Sequence, residues 1–384
     1  MMRPDTGAAP LVLHLPRTLC AAGAISALAA ELDALGVRRP LLVTDKGILA
    51  AGLAAKVIEA YGDADAMIVF DDVTENPLFS DVDRGIALYA RQSCDGVVAL
   101  GGGSVIDTAK FIALLAGNTG HIADYAGKPG TPHKASAPLL AIPTTAGTGS
   151  EASHSAAIHP DAAAPALGMS SRHLIPRVAI LDPVLTMGLP ARLTAATGID
   201  ALSHCIEGYL STKDQPLGKA IALDGIGRVA RSLRCAVADP QNTDARMAMM
   251  LAAYAGGVSI GMGLGPAHAV ALACSDQGFH HGVLSGIGLV ATLDATAAQV
   301  PERMEAVARA FGLAPAASLA DEIAGLMREL GLPATLAELD YSAGSIQTLA
   351  DAAQRSHFNL FAPFRPTSEQ YAGMLAASLA VPQP

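Results

Sequence analysis

The sequence predicts a chain in two halves: an α/β half built on a mostly parallel sheet, followed by a nearly all-helical half. Three observations predict it. Short apolar runs alternate with amphipathic segments as far as the run VAIL before Pro183, the pattern of strands joined by crossover helices. Beyond Pro190, Ala- and Leu-rich segments follow one another with little strand punctuation. The length of 384 residues exceeds what one core usually serves. The boundary falls at 182–190, between Pro183 and Pro190, which sets 1–185 and 186–384 as the two domains.

In order along the first half, the apolar run at 40–44 ends at Thr44-Asp45 and leads into a helix over 47–60. AMIVFDDV at 66–73 repeats the strand signal, and ENPLFSDVDRGIALYARQSC supplies a turn and a helix. GVVALGGGSVIDTAKFIALL at 96–115 reads as strand, glycine loop and helix, and APLLAIPTTAGTGSEAS as a strand ending at Pro143. In the second half, 191–210, 215–237, 242–260, 263–275 and 282–297 read as helices. PERMEAVARAFG, SLADEIAGLMRELG, SIQTLADAAQRS and TSEQYAGMLAASL continue the pattern as a packed bundle.

Composition excludes several functions. A formal charge of −10 and the absence of a dense Lys/Arg cluster give no field for nucleic acid. Mean hydropathy is +0.37, yet Asp, His, Arg or Pro interrupts every apolar run before about 20 residues, so no membrane span is expected. MMRPDTGAAPLVLHLP lacks the form of a signal peptide. Five scattered cysteines without a CxxC suit reduced thiols in a cytoplasmic protein.

Two kinds of polar stretch stand out. In GIDALSHCIEGYL, Asp200 and His204 are four residues apart and share one helix face. Downstream, GPAHAVALACSDQGFHHGVLSG adds His268, His280 and His281. A carboxylate with three imidazoles would suit a divalent first-row metal, although the i,i+4 pair alone could equally be a surface pair or a buried hydrogen bond. The second kind is the small-residue loop. Gly101, Gly102, Gly103 and Ser104 lie between strand and helix, where free amides could take a pyrophosphate or where the turn merely needs small residues. Asp107 is either a cap partner or a group facing a ligand. Thr144, Thr145, Thr148 and Ser150 form a second such loop, able to hold phosphate or ribose or to act as a connector. Asp45, ending an early strand, could accept from an adenosine ribose hydroxyl and repel the 2′-phosphate of NADP, or simply start a turn.

Taken jointly, GGGSVIDTAK, IPTTAGTGSE, ATGIDALSHCIEGYLS and the histidine segment 265–282 closely resemble the iron-containing, or group III, alcohol dehydrogenase family. The resemblance covers most of 35–290, with an echo in PFRPTSEQYAGML at 363–375. It implies the dehydroquinate-synthase-like architecture: an α/β nucleotide-binding domain, an all-helical metal-binding domain and a catalytic cleft between them. It also implies interconversion of alcohols with aldehydes or ketones, with NAD(H) favoured over NADP(H) through Asp45. One divalent metal is expected, Fe2+ first and Zn2+ or another divalent ion as substitute. The metal motif maps onto Asp200, His204, His268 and His281, the last chosen over His280 by its His-Gly step. The cofactor motifs map onto Asp45, Gly101 to Ser104, Asp107, Thr144, Thr145, Thr148 and Ser150, and Leu185 resembles a contact near the ribose or nicotinamide. A homodimer is expected by the same resemblance.

Three departures accompany it. Leu272 stands where many of these dehydrogenases have another histidine, Ala166 stands where a lysine is common, and the interval from His268 to His281 is one residue short. His280 is the substitute proton relay, or else an exposed or packed residue. The rival readings are a maleylacetate-reductase-like reductase of a carboxylated carbonyl, a polyol dehydrogenase, and an idle nucleotide-binding protein.

Overall fold

The computed structural model of the chain describes residues 12–131, 133–314 and 318–380. Its first half runs β1 (Arg17–Cys20), α1 (Leu28–Ala34), β2 (Pro40–Val43), α2 (Lys46–Ala50), α3 (Leu53–Tyr61), β3 (Ile68–Phe70), α4 (Phe79–Arg91), β4 (Gly96–Gly101), α5 (Gly103–Gly117), β5 (Leu139–Pro143), β6 (Ser155–Ile158), β7 (Leu167–Ser170) and β8 (Val178–Leu181). The main sheet is parallel in the order β1-β8-β5-β4-β2-β3. Alternate residues of each central strand serve opposite faces, as the two-residue period requires. Leu41, Val43, Val97 and Ala99 pack with Val105, Phe111 and Ile112, while Leu42, Val98, Leu100 and Ile142 pack with Leu28, Leu32 and Val57. Burial on both faces explains why these strands read as unbroken apolar runs.

Several details differ from the sequence expectation. The helix over 47–60 is two helices, because Gly52 adopts φ +72 between them and breaks the ladder. The strand at 66–73 contracts to Ile68–Phe70. β1 was not anticipated: RTLC is a half-polar edge strand whose partner, β8, lies far along the chain. Nor was the antiparallel pair β6–β7, which branches off after the threonine-rich loop.

The second half comprises α6 (Ala191–Leu210), α7 (Pro216–Ala238), α8 (Thr243–Ile260), α9 (Pro266–Ala273), α10 (His281–Ala297), α11 (Pro301–Phe311), α12 (Leu319–Glu329), α13 (Ile346–Arg355) and α14 (Ser368–Leu379). None of the described helices is long and apolar enough to cross a membrane. Nearly all of α6 is buried, and glycines let its neighbours approach. A Cβ on Gly208 would lie 2.4 Å from the Ser259 side chain, and one on Gly225 would lie 2.5 Å from Cys205 Sγ.

The same device joins the halves. Gly149, at φ +62, ends the loop after β5, and its carbonyl oxygen would lie 1.9 Å from a Cβ on Gly257 of α8. Both partners are backbone, so no side chain can yield. Gly257→Ala should therefore destabilise the fold by about 1–3 kcal/mol, seen as a lower midpoint in urea; a midpoint equal to wild type would show that the loop can lift away freely.

Candidate metal centre and nucleotide cleft

Among the described residues, Asp200, His204, His268 and His281 each offer one donor atom, and the four atoms lie within 4.8 Å of one another. Two come from the middle of α6, one from the first turn of α9 and one from the first residue of α10. Gly282 has a specific part here: a Cβ on it would lie 2.2 Å from the Ala196 carbonyl oxygen and 3.0 Å from Asp200 Cβ. Without a side chain there, the start of α10 lies directly on α6 and carries His281 to Asp200.

The donor set fits a cation. Asp200 Oδ1, His204 Nδ1 and His268 Nε2 are buried and have no hydrogen-bond partner, an arrangement that is costly unless something else satisfies them. Asp200 stands 3.9 Å from His204 Nδ1 and 3.7 Å from His281 Nε2. These gaps are too long for hydrogen bonds. They match donors that would each sit about 2.0–2.2 Å from a shared ion. Half of the His281 side chain is exposed whereas Asp200, His204 and His268 are buried, so the site is closed on the α6 side and open at His281.

Electrostatics prepare the donors. Burial acts to raise the Asp200 carboxyl, but His204, His281, His268 and His280 outweigh it and hold the group below the usual carboxylate range. Burial pushes His204 down to about 4, against the pull of Asp200. The acid is ionised and the imidazole neutral at neutral pH, the forms that ligate. His204 and His268 stack with ring centroids 4.7 Å apart, a contact suited to neutral rings.

Glu207 was missed by the motif reading, although a carboxylate one turn beyond His204 in an apolar helix was the available signal. It is buried and accepts from His268 Nδ1 at 2.6 Å, from the Ala267 amide at 2.7 Å and from the His268 amide at 3.3 Å. The bond to Nδ1 sets the tautomer that leaves Nε2 free toward the other donors. Phe358 was missed as well; its ring lies 5.5 Å from that of His268, and only the tertiary structure brings it there.

The two small-residue loops also meet. They follow adjacent strands, with Gly101 in register with Pro143, at the carboxyl edge where the strand order turns back between β2 and β4, the usual place for a ligand. A Cβ on Gly103 would lie 2.6 Å from the Thr148 methyl, and one on Gly102 would lie 3.3 Å from the Thr145 methyl. The loop then reaches α6, where a Cβ on Gly147 would lie 2.7 Å from Thr197 Cβ. Asp45, at the end of β2, caps α2 by accepting from the Ile48 amide at 2.9 Å. Thr144 is buried, while Thr145 and Thr148 are partly exposed.

Other expected cofactor side chains are engaged within the protein. Asp107 accepts from Ser150 Oγ at 2.5 Å and from the Ala157 amide at 2.9 Å, so this pair ties the threonine-rich loop to α5. Ser104 Oγ donates to the Glu75 carbonyl. Leu185, expected beside the ribose or nicotinamide, is only 3% exposed and belongs to the core with Leu28, Leu100 and Ile142; as an apolar side chain between β8 and α6 it is better satisfied there. His280 is the N-cap of α10, accepting from the Gly282 amide through Nδ1 at 3.1 Å.

The family model described as iron-containing alcohol dehydrogenase matches residues 16–183, and that of the Fe-containing alcohol dehydrogenase family C-terminal region matches 194–379. This chain belongs to the iron-containing alcohol dehydrogenase family. Within that family it is 39% identical to the 4-hydroxybutyrate dehydrogenase of Cupriavidus necator, over 93% of this chain and 96% of the relative. It is 35% identical to alcohol dehydrogenase 4 of Saccharomyces cerevisiae, over 92% of this chain and 94% of the relative. The crystal structure of sulfoacetaldehyde reductase from Bifidobacterium kashiwanohense in complex with NAD+ superposes with a TM-score of 0.91 at 28% identity, covering 98% of this chain and all of that one. Leu272 lies one turn beyond His268 on α9 and is 37% exposed.

Glu207→Ala should weaken affinity for a divalent ion about 10–100-fold, because His268 loses the partner that orients it. Competition with a chelator measures this directly; wild-type affinity in the variant would show that packing alone holds the ring.

Proposed function

We propose that this chain is a metal-dependent, NAD(H)-linked oxidoreductase that interconverts a small alcohol with its aldehyde or ketone. The observation that carries the reading is the set of three buried, unpartnered donors on Asp200, His204 and His268, set against the nucleotide-type loop through Gly147 and Thr197. When bound, the divalent ion supplies a Lewis-acid centre for a substrate oxygen and the nicotinamide supplies hydride exchange.

The chain's own residues supply position and environment. Asp200, His204, His268 and His281 would hold the ion, Fe2+ by family type. Glu207 keeps His268 turned toward it. The amides of Gly101 to Ser104, at the N-terminus of α5, would face the pyrophosphate. Thr144, Thr145 and Thr148 line the opposite loop, and Asp45 would take the adenosine ribose. Asp107 and Ser150 serve by fixing that loop's shape. Phe358 supplies an apolar wall beside His268 and limits water at the reacting centre. With Leu272 in place of a histidine, His280 at the mouth of the site is the imidazole available for proton exchange, its Nδ1 held by the Gly282 amide. The Cupriavidus necator relative is named for a hydroxy acid, 4-hydroxybutyrate, which supports including hydroxy and oxo acids among the candidate substrates.

Anaerobically purified protein reconstituted with Fe2+ should change NADH absorbance with members of a panel of alcohols, aldehydes and oxo acids. Asp200→Asn or His204→Ala should abolish metal occupancy and turnover while much of the NAD affinity remains; full metal content with full activity in either variant would refute the ligand assignment. Replacing Asp45 by Ser should narrow the preference for NAD over NADP, read as the ratio of kcat/KM values; an unchanged ratio would rule out its discriminating role.

A further inference from the structure

Asp45 is not the only charge at the end of β2. Lys46 follows it directly as the first residue of α2, and a cation beside the ribose-binding acid is what a fold of this kind uses to accept the 2′-phosphate of NADP. Here that cation is already engaged. Lys46 Nζ lies 3.2 Å from Asp72 Oδ1, and among the described residues no other carboxylate forms an ion pair with it. Asp72 also takes Arg84 of α4, whose Nε lies 3.4 Å from Oδ2. Arg84 has a second acid in Asp81, at 2.8 Å, so it stays paired without Asp72.

The backbone gathers these groups around one spot. β2 and β3 are parallel neighbours with Val43 opposite Phe70, and the Thr44 amide continues the ladder by donating to the Phe70 carbonyl at 2.9 Å. Asp45 and Asp72 each stand two residues beyond that pair, at the carboxyl ends of strands about 4.8 Å apart. The chain after Asp72 then turns towards the glycine loop, where Ser104 Oγ, in the first turn of α5, donates to the Glu75 carbonyl. A loop that leaves β3 and reaches the helix after β4 passes beside the end of β2, because β2 lies between those strands. The side chains of Lys46, Asp72 and Arg84 are exposed at this edge, so a nucleotide lying on it can meet them.

We propose that Asp72 is a second specificity-determining residue, which disfavours NADP by holding the Lys46 ammonium that would otherwise take its 2′-phosphate. A lysine binds phosphate as a point charge, and an ammonium already paired with a carboxylate has to give up that partner first. NAD has a hydroxyl in the same place and makes no such demand. Asp45 and Asp72 thus act differently: one repels the phosphate and the other occupies its counter-charge. The inference rests on the nucleotide-cleft reading for its ligand and on the Lys46–Asp72–Arg84 geometry for its residue. An exposed ion pair is weak, so the effect is a shift in preference, visible once the repulsion from Asp45 is removed.

The test is a titration of NAD+ and of NADP+ into the Fe2+-reconstituted full chain, without alcohol or aldehyde, so that Kd and not turnover is read. Four proteins are compared: wild type, Asp45→Ser, Asp45→Ser with Asp72→Asn, and that double variant with Lys46→Met. Adding Asp72→Asn to Asp45→Ser should tighten NADP+ about 5-fold, the upper end for an exposed ion pair, and change NAD+ by less than about 2-fold. Adding Lys46→Met should cancel the gain. An NADP+ Kd unmoved by Asp72→Asn, or equal gains for both nucleotides, would overturn the proposal. A gain that survives Lys46→Met overturns it as well, because Asp72 would then act through its own charge and not through the lysine. Turnover keeps the two readings apart. The expected Kd pattern with no NAD-linked turnover of any alcohol, aldehyde or oxo acid overturns the oxidoreductase reading alone, whereas turnover with NAD beside an unmoved NADP+ Kd overturns the role of Asp72 alone.

Discussion

A carboxylate and two imidazoles buried with unpartnered donor atoms are the constraint around which this molecule is arranged. Removing such groups from water without replacing their hydrogen bonds opposes folding, and among the described residues three of the four unpartnered buried side-chain atoms lie on Asp200, His204 and His268. They come from two helices and converge with His281 from a third. A convergence of unpartnered atoms of this kind is explained by a ligand that satisfies all of them together. Glu207 acts in the same sense, because its carboxylate occupies the far side of the His268 ring and the two amides that open α9.

Close packing is what makes the convergence geometrically available. The donors sit on helices whose backbones approach through Gly208, Gly225, Gly256 and Gly282, so a short aspartate and compact imidazoles reach one point. The same economy brings the first half to the second: Gly147 rests on Thr197 of α6 and Gly149 on Gly257 of α8. The loop after β5 thus touches the helix that carries the metal donors one turn before Asp200. A nucleotide at the carboxyl edge of the sheet and an ion at α6 would be neighbours, because the loop after β5 runs from one to the other.

The surrounding shell is more individual than the grip on the ion. Leu272, at the position where the family resemblance leads one to expect a histidine, is an apolar, exposed side chain one turn beyond His268, and His280 is partly committed to capping α10. Beyond the end of α6, Lys213 keeps an ammonium half-buried against Phe361, and among the described residues no acid forms an ion pair with it. Family membership accounts for the reaction type.

The sequence by itself determined the two-part architecture and the central strands, because apolar runs ending at small-residue loops are local patterns; acid and imidazole at helical spacing marked Asp200 and His204, while the full donor set, with His281 chosen over His280, came from the family resemblance. It also contained Glu207, one turn from His204, but spacing along one helix could not say that its partner would be a histidine 61 residues on. What only the tertiary structure decided depends on contacts between distant segments. The edge strand β1 forms through pairing with β8. Leu185 is core, and Asp107 bonds to Ser150. Phe358 comes to the site from near the end of the chain. Periodicity reports which face of an element is buried; it carries no information about which other element covers that face, and the four-donor cluster and the paired small-residue loops are both made between elements.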